Sequence, residues 1–97
     1  MHIKLKQFGS SLSSRQAGKD AFGGFSTTLA VLKPGESIEI DFEDVSSLSP
    51  SWADEFLTPL VNQFGDKLIL FNTKNLSVDA TITFLADINK LKFNRKS

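Results

Sequence analysis

The segment from Ser37 to Glu55 constrains the fold more than any other part of the chain, because a strand pattern, a short loop and a helix start follow one another without interruption. Ser37-Ile38-Glu39-Ile40-Asp41-Phe42 alternates polar and apolar residues, the period of a strand with one buried face. Asp41-Phe42-Glu43-Asp44-Val45 leads into the serine-rich run Ser46-Ser47-Leu48-Ser49. There Ser49 can cap a helix through its hydroxyl and Pro50 suits the first helical position. Asp54 and Glu55 are expected in the first turn, where negative charge meets the positive end of the helix dipole. The segment reads as strand, loop, helix.

The remaining elements alternate around it. Residues 2–7 read as a strand with Ile3, Leu5 and Gln7 on one face. Residues Ser10 to Ser14 offer several N-caps for a helix that carries Ala21, Phe22, Phe25, Leu29 and Leu32 at helical spacings as far as Leu32,. Gly18, Gly23 and Gly24 weaken that helix, each by about 1 kcal/mol relative to alanine, so a bend is expected near the glycine pair. Pro34-Gly35 marks a turn into the second strand. A helix from Pro50 to Phe64 puts Trp52, Phe56, Leu60 and Phe64 on one side, with a kink or 3-10 turn expected around Pro59 and Gly65 as its stop. Lys67 to Asn72 is apolar enough for a strand covered on both faces. Ser77 to Leu91 follows as a last helix, with Ser77 as its cap and Val78, Ile82, Leu85 and Ile88 inward. Strands that alternate with helices predict an α/β fold with a small, mostly parallel sheet, since each helix supplies a crossover. The 97 residues suffice for a single domain spanning 1–97,.

Charge and composition narrow the function classes. The formal net charge is zero, which disfavours general nucleic-acid binding. The acids are nevertheless concentrated: residues 34–66 hold Glu36, Glu39, Asp41, Glu43, Asp44, Asp54, Glu55 and Asp66 and no lysine or arginine, whereas both chain ends are basic. Pairing of the strands is expected to neutralise part of this. The basic tail Lys90 to Lys96 contains one aromatic residue, Phe93, and reads as a fraying helix end. No segment approaches the roughly 20 apolar residues of a membrane span, the amino-terminal residues alternate like a strand instead of a signal peptide, and there is no cysteine. A cytoplasmic protein with no membrane contact is expected.

The parts of a catalytic site are scarce. His2 is the sole histidine, cysteine and tyrosine are absent, and His2 reads as a solvated strand residue. Asp41, Glu43 and Asp44 are hard-cation ligands by type, but alternation sends Asp41 and Glu43 to one strand face without further ligands. Gly9-Ser10-Ser11 lacks the lysine of a phosphate-binding loop and reads as a helix start. The expectation is a non-enzyme without metal or cofactor.

Three motifs in order, Ser14-Arg15-Gln16-Ala17, Asp41-Phe42-Glu43-Asp44-Val45 and Trp52-Ala53-Asp54-Glu55, resemble the pattern of the STAS-like DUF4325 family across about residues 9 to 89. That family is distantly similar to STAS anti-sigma-factor antagonists. The resemblance implies a STAS-like fold and a small regulatory domain that docks on a protein partner, an ATPase or kinase of the histidine-kinase-like class. In STAS antagonists a partner kinase phosphorylates a serine at the start of the helix after the central strand. Aligned on Asp41 and Val45, that position falls on Pro50, which has no hydroxyl, and the acidic residue before it falls on Ser49. Ser49 and Ser51 flank the lost position and are the candidate switch residues. Asp44, Ser46, Ser47, Trp52, Asp54 and Glu55 are the candidate partner contacts, with Trp52 also suited to the core. The pattern further implies that Arg15 pairs with Asp54. Other readings stay open beside this one: a constitutive subunit or antagonist without phosphorylation, and a sensor with a small-ligand pocket beside Ser46 to Ser51, at the carboxyl end of the second strand.

Overall fold

The computed structural model describes residues 1–96. Four parallel strands form the main sheet: β1 (His2–Lys4), β3 (Ile38–Asp41), β5 (Leu68–Phe71) and β6 (Asn94–Lys96), in the order β1-β3-β5-β6. Ile3 lies beside Ile40, Ile40 beside Leu70, and Leu70 beside Arg95. Three helices make the crossovers, α1 (Arg15–Leu29), α2 (Pro50–Phe64) and α3 (Leu76–Asn89). A second, two-stranded parallel sheet joins β2 (Ser11–Leu12) to β4 (Ser47–Leu48). The molecule is an α/β fold with a parallel sheet.

Each successive strand of the main sheet is added on the same side of the last. Right-handed crossovers then stack all three helices on one face. Burial follows this arrangement. Ile38, Ile40, Leu68 and Leu70 are fully buried, whereas on the other face Glu39, Ile69 and Phe71 are half-buried and His2 and Lys4 are exposed. The strand at β5 is therefore covered on one side, in contrast to the two-sided cover that its apolar sequence predicts.

An aromatic cluster centred on the fully buried Phe56 fills the space beneath the helices. Trp52 stacks on it with ring centroids 5.0 Å apart, Phe25 at 5.4 Å, and Phe8 and Phe22 meet it edge-on at 5.5 and 6.2 Å. Such pairs add about 0.5–1.5 kcal/mol each beyond the area they bury. The helices come together closely at one point. A Cβ on Gly18 would stand 2.5 Å from the carbonyl oxygen of Trp52 and 2.9 Å from its Cα, so only glycine permits this approach of α1 to α2.

Other elements depart from expectation for local reasons. β1 ends at Lys4; Leu5–Phe8 turns as a 3-10 helix that buries Leu5 and brings Phe8 onto Phe56, leaving Gln7 exposed. Ser14, at φ 75°, is the cap of α1, accepting from Ala17 N–H at 3.1 Å. Ser11 instead belongs to β2. α1 continues through Gly23-Gly24 and stops at Leu29. α2 remains α-helical across Pro59, with no 3-10 segment, held by the buried Leu57, Leu60 and Val61 around it. Asn75, and not Ser77, caps α3, its Oδ1 accepting from the N–H groups of Ser77 and Val78. Ser77 and Thr81 face β4 instead: Leu48 N–H donates to Ser77 Oγ at 2.9 Å, and Thr81 Oγ1 donates to Leu48 O at 2.6 Å. The tail does not fray. It returns as β6, where Arg95 donates to Thr73 and to Asp79. No helix among the described residues is long and apolar enough to cross a membrane.

Candidate functional site

The start of α2 is built as its sequence directs. Ser49 Oγ accepts from Trp52 N–H at 3.1 Å, and Ser49 N–H donates to Leu12 O at 2.8 Å, so the cap is fastened to the small sheet as well as to its own helix. Pro50 is exposed and Ser51 half-buried. The hydroxyl of Ser49 is thus engaged, while that of Ser51 has no hydrogen-bond partner among the described residues.

Asp54 and Glu55 lie beyond the first turn of α2, which contains no acid. They do not serve the helix dipole. Both bind Arg15, whose Nη1 donates to Asp54 Oδ2 at 3.1 Å and to Glu55 Oε1 at 2.9 Å. The expected Arg15–Asp54 pair is present, with Glu55 as a second acceptor. These bonds, Glu55's first and then Asp54's, raise the guanidinium pKa further above its ordinary value. Asp54 also accepts from Thr58 Oγ1 at 2.8 Å and from Asn89 Nδ2 at 3.5 Å. One carboxylate therefore ties α1, α2 and α3 together.

Beside this network lies a recess of about 220 Å³ lined by Arg15, Pro50, Ser51, Asp54, Phe84 and Ile88, among others. Phe84 is 47% exposed and Ile88 58% exposed. Ile88 was expected inward with Val78, Ile82 and Leu85; those three are buried and Ile88 is not. From the sequence, Ile88 is assigned to the core and Phe84 is not named. The available signal was an excess: α3 carries Leu76, Val78, Ile82, Phe84, Leu85 and Ile88, more large apolar residues than one inward stripe can bury.

The other candidate contacts divide. Trp52 is 2% exposed and belongs to the core, so it offers no surface to a partner. Asp44 is exposed in a left-handed turn (φ 66°) and pairs with Lys6 at 3.3 Å; Glu43 lies 3.8 Å from Lys4. Strand pairing thereby compensates part of the acidic segment. Ser46 and Ser47 both donate backbone N–H groups to Ser10 O, and Ser46 Oγ does so too. They join β4 to β2, away from the recess.

His2 is less isolated than its sequence position suggests. Its ring nitrogens lie 3.2 Å from Glu39 Oε1 and 3.3 Å from Asp41 Oδ2. Asp41 is nearly buried and accepts from Asn72 Nδ2 at 2.7 Å and from Glu43 N–H at 2.9 Å. Burial alone would push its carboxyl pKa up. The bonds from Asn72, Glu43 and His2 outweigh it, and the carboxyl sits below its ordinary value,. Among the described residues no three histidine, cysteine or acidic side chains gather as metal ligands would.

A larger recess, about 870 Å³, lies beyond the carboxyl ends of α2 and α3 between Val61, Gly65 and Lys90 to Arg95. It contains none of the candidate residues.

The profile of a STAS-like domain of unknown function, DUF4325, matches residues 21–80. The chain belongs to the DUF4325 family. The match spans β3, the loop and α2, and so includes Ser49, Ser51, Asp54 and Glu55, while the Arg15 motif lies before it. No curated protein and no solved structure matches this DUF4325 chain.

Proposed function

We propose that this DUF4325 domain is a regulatory protein-interaction module whose docking face is the amino-terminal end of α2 with the adjoining groove against α3. The partner class is an ATPase or kinase of the histidine-kinase-like type. One observation carries the reading: a polar network on Asp54 and Arg15 borders exposed apolar side chains, Phe84 and Ile88, around an unengaged Ser51 hydroxyl. A rigid polar rim beside solvent-exposed apolar surface is the composition of an interface. The recess is smaller than the roughly 300 Å³ at which small-molecule pockets begin, which favours a protein surface over a small ligand. No catalytic role falls to any residue in this reading.

Between the two candidate switch serines the geometry favours Ser51. A phosphate there would meet the Arg15 guanidinium, at the cost of repulsion from Asp54 and Glu55. The occupied Ser49 hydroxyl and Pro50 at the position of the acceptor serine in STAS antagonists support a second reading, a stable subunit or antagonist without phosphorylation.

The test is affinity capture from lysate of the source organism with wild-type, Ser49→Asp and Ser51→Asp baits, followed by intact-mass measurement of the bait after incubation with the captured protein and ATP. An ATP-binding protein recovered by wild type, lost with Ser51→Asp and able to add one phosphate would bear out the switch. Recovery without added mass would select the stable-subunit reading, and a partner indifferent to both substitutions would reject this docking face.

A further inference from the structure

We infer that what docks in the groove is a basic amphipathic helix of the partner, an inference that rests on the docking face proposed above. Three of the four large apolar side chains exposed among the described residues, Leu76, Phe84 and Ile88, belong to α3; the fourth, Val31, is elsewhere. With the exposed Ala80 they recur every four residues. That row forms one of the slanted ridges that pack into the groove of a second helix, and twelve residues at about 1.5 Å each give a ridge about 18 Å long. At its carboxyl-terminal half, Phe84 and Ile88, the ridge faces Pro50, Ser51 and Asp54 of α2 across the recess. The shape is a trough for a helix rather than a cup for a small molecule.

Its charge selects the sign of the occupant. α2 and α3 contain Asp54, Glu55, Asp79 and Asp87 and no lysine or arginine. Arg15 is shared between Asp54 and Glu55, and Arg95 serves Asp79. Asp87, exposed next to Ile88, has no ion pair among the described residues. The four acids outnumber the two arginines that reach them, so an apolar stripe flanked by lysine or arginine complements the trough, and one flanked by acids is repelled.

The experiment titrates isotopically labelled protein with two short synthetic helices of identical leucine face, one bearing lysine and the other glutamate on its polar face, observed by amide NMR. The lysine helix is expected to shift the signals of Ser51, Ala80, Phe84 and Ile88, with affinity falling about tenfold in Phe84→Ser, a size typical of an interface anchor, and falling also in Asp87→Asn. Val31→Ser should bind as wild type. Because all three positions are exposed, unchanged melting temperatures will show that the variants fold. Equal binding of the glutamate helix, shifts confined to other surfaces, or indifference to Phe84→Ser would overturn the inference. Those outcomes leave the capture experiment untouched: an ATP-binding partner lost with Ser51→Asp would still establish the docking face, with a different ligand chemistry in its trough.

Discussion

Ser49 shows how one hydroxyl can be claimed by structure before function can use it. Its oxygen satisfies one of the amides left open at the start of α2,, so Ser49→Ala is expected to cost about 1 kcal/mol in denaturant unfolding. Aspartate is also a good cap, and Ser49→Asp should keep most of that stability; a loss as large as alanine's would mean that the cap bond is not what Ser49 supplies. Asp41 makes the second residue-level case. Its folded pKa lies below the unfolded value, so the folded state binds fewer protons and the carboxylate stabilises it above the unfolded pKa. That contribution is lost as pH falls from about 5 through the folded pKa. Asp41→Asn should flatten the acid limb of the stability–pH curve, and an unchanged limb would show that Asp41 does not set it. The sequence permitted Asp41 to be read as a strand residue. Its bonds to Asn72 and His2 depend on which strands are neighbours, which no local pattern encodes.

At the level of elements, legibility tracked the strength of local signals. α2 runs from Pro50 to Phe64 as read, because Ser49, Pro50 and Gly65 mark both ends. β3 was legible from its alternation. β2, β4 and β6 are two or three residues long, too short for a period, and they exist only because a partner strand lies alongside. The cap of α3 was misplaced for a similar reason: Ser77 has the chemistry of a cap, but its hydroxyl is drawn to Leu48 and Asn75 takes the role. Helix α1 persists through two glycines because its contact with α2 outweighs local propensity. The Arg15–Asp54 link between these helices can be tested by a double-mutant cycle. Arg15→Ala and Asp54→Ala should be non-additive, with a coupling that shrinks as salt rises; additive losses would mean that the ion pair does not hold the helices together.

Across the whole molecule, buried and exposed aromatics differ in what they contribute to stability. Phe56 sits at the centre of the core, and Phe56→Ala should cost about 3–5 kcal/mol, seen as a large drop in the denaturant midpoint. Phe84→Ser, on the surface, should leave that midpoint within about 0.5 kcal/mol of wild type. A destabilising Phe84→Ser would move this residue from the proposed docking face to the core. From the sequence, Phe56 falls in the inward stripe of α2 and Phe84 is left without a place; that Phe84 is exposed follows from the one-sided stacking of helices, which leaves the outer ridge of α3 uncovered.

The contact at Gly18 limits which positions of such a domain are free to vary. Trp52 backbone rests where a side chain at residue 18 would be, three positions past the cap at Ser49, so the placement of α2 is set by a missing methyl group on its neighbour. Ser51, Phe84 and Asp87 make no hydrogen bond or ion pair to α1 among the described residues and can be exchanged without touching this spacing, whereas Asp54 is bonded to Arg15 of α1. Position 18 has no such latitude: a version of this domain that keeps α2 where it is must keep glycine there, however far the recognition residues drift.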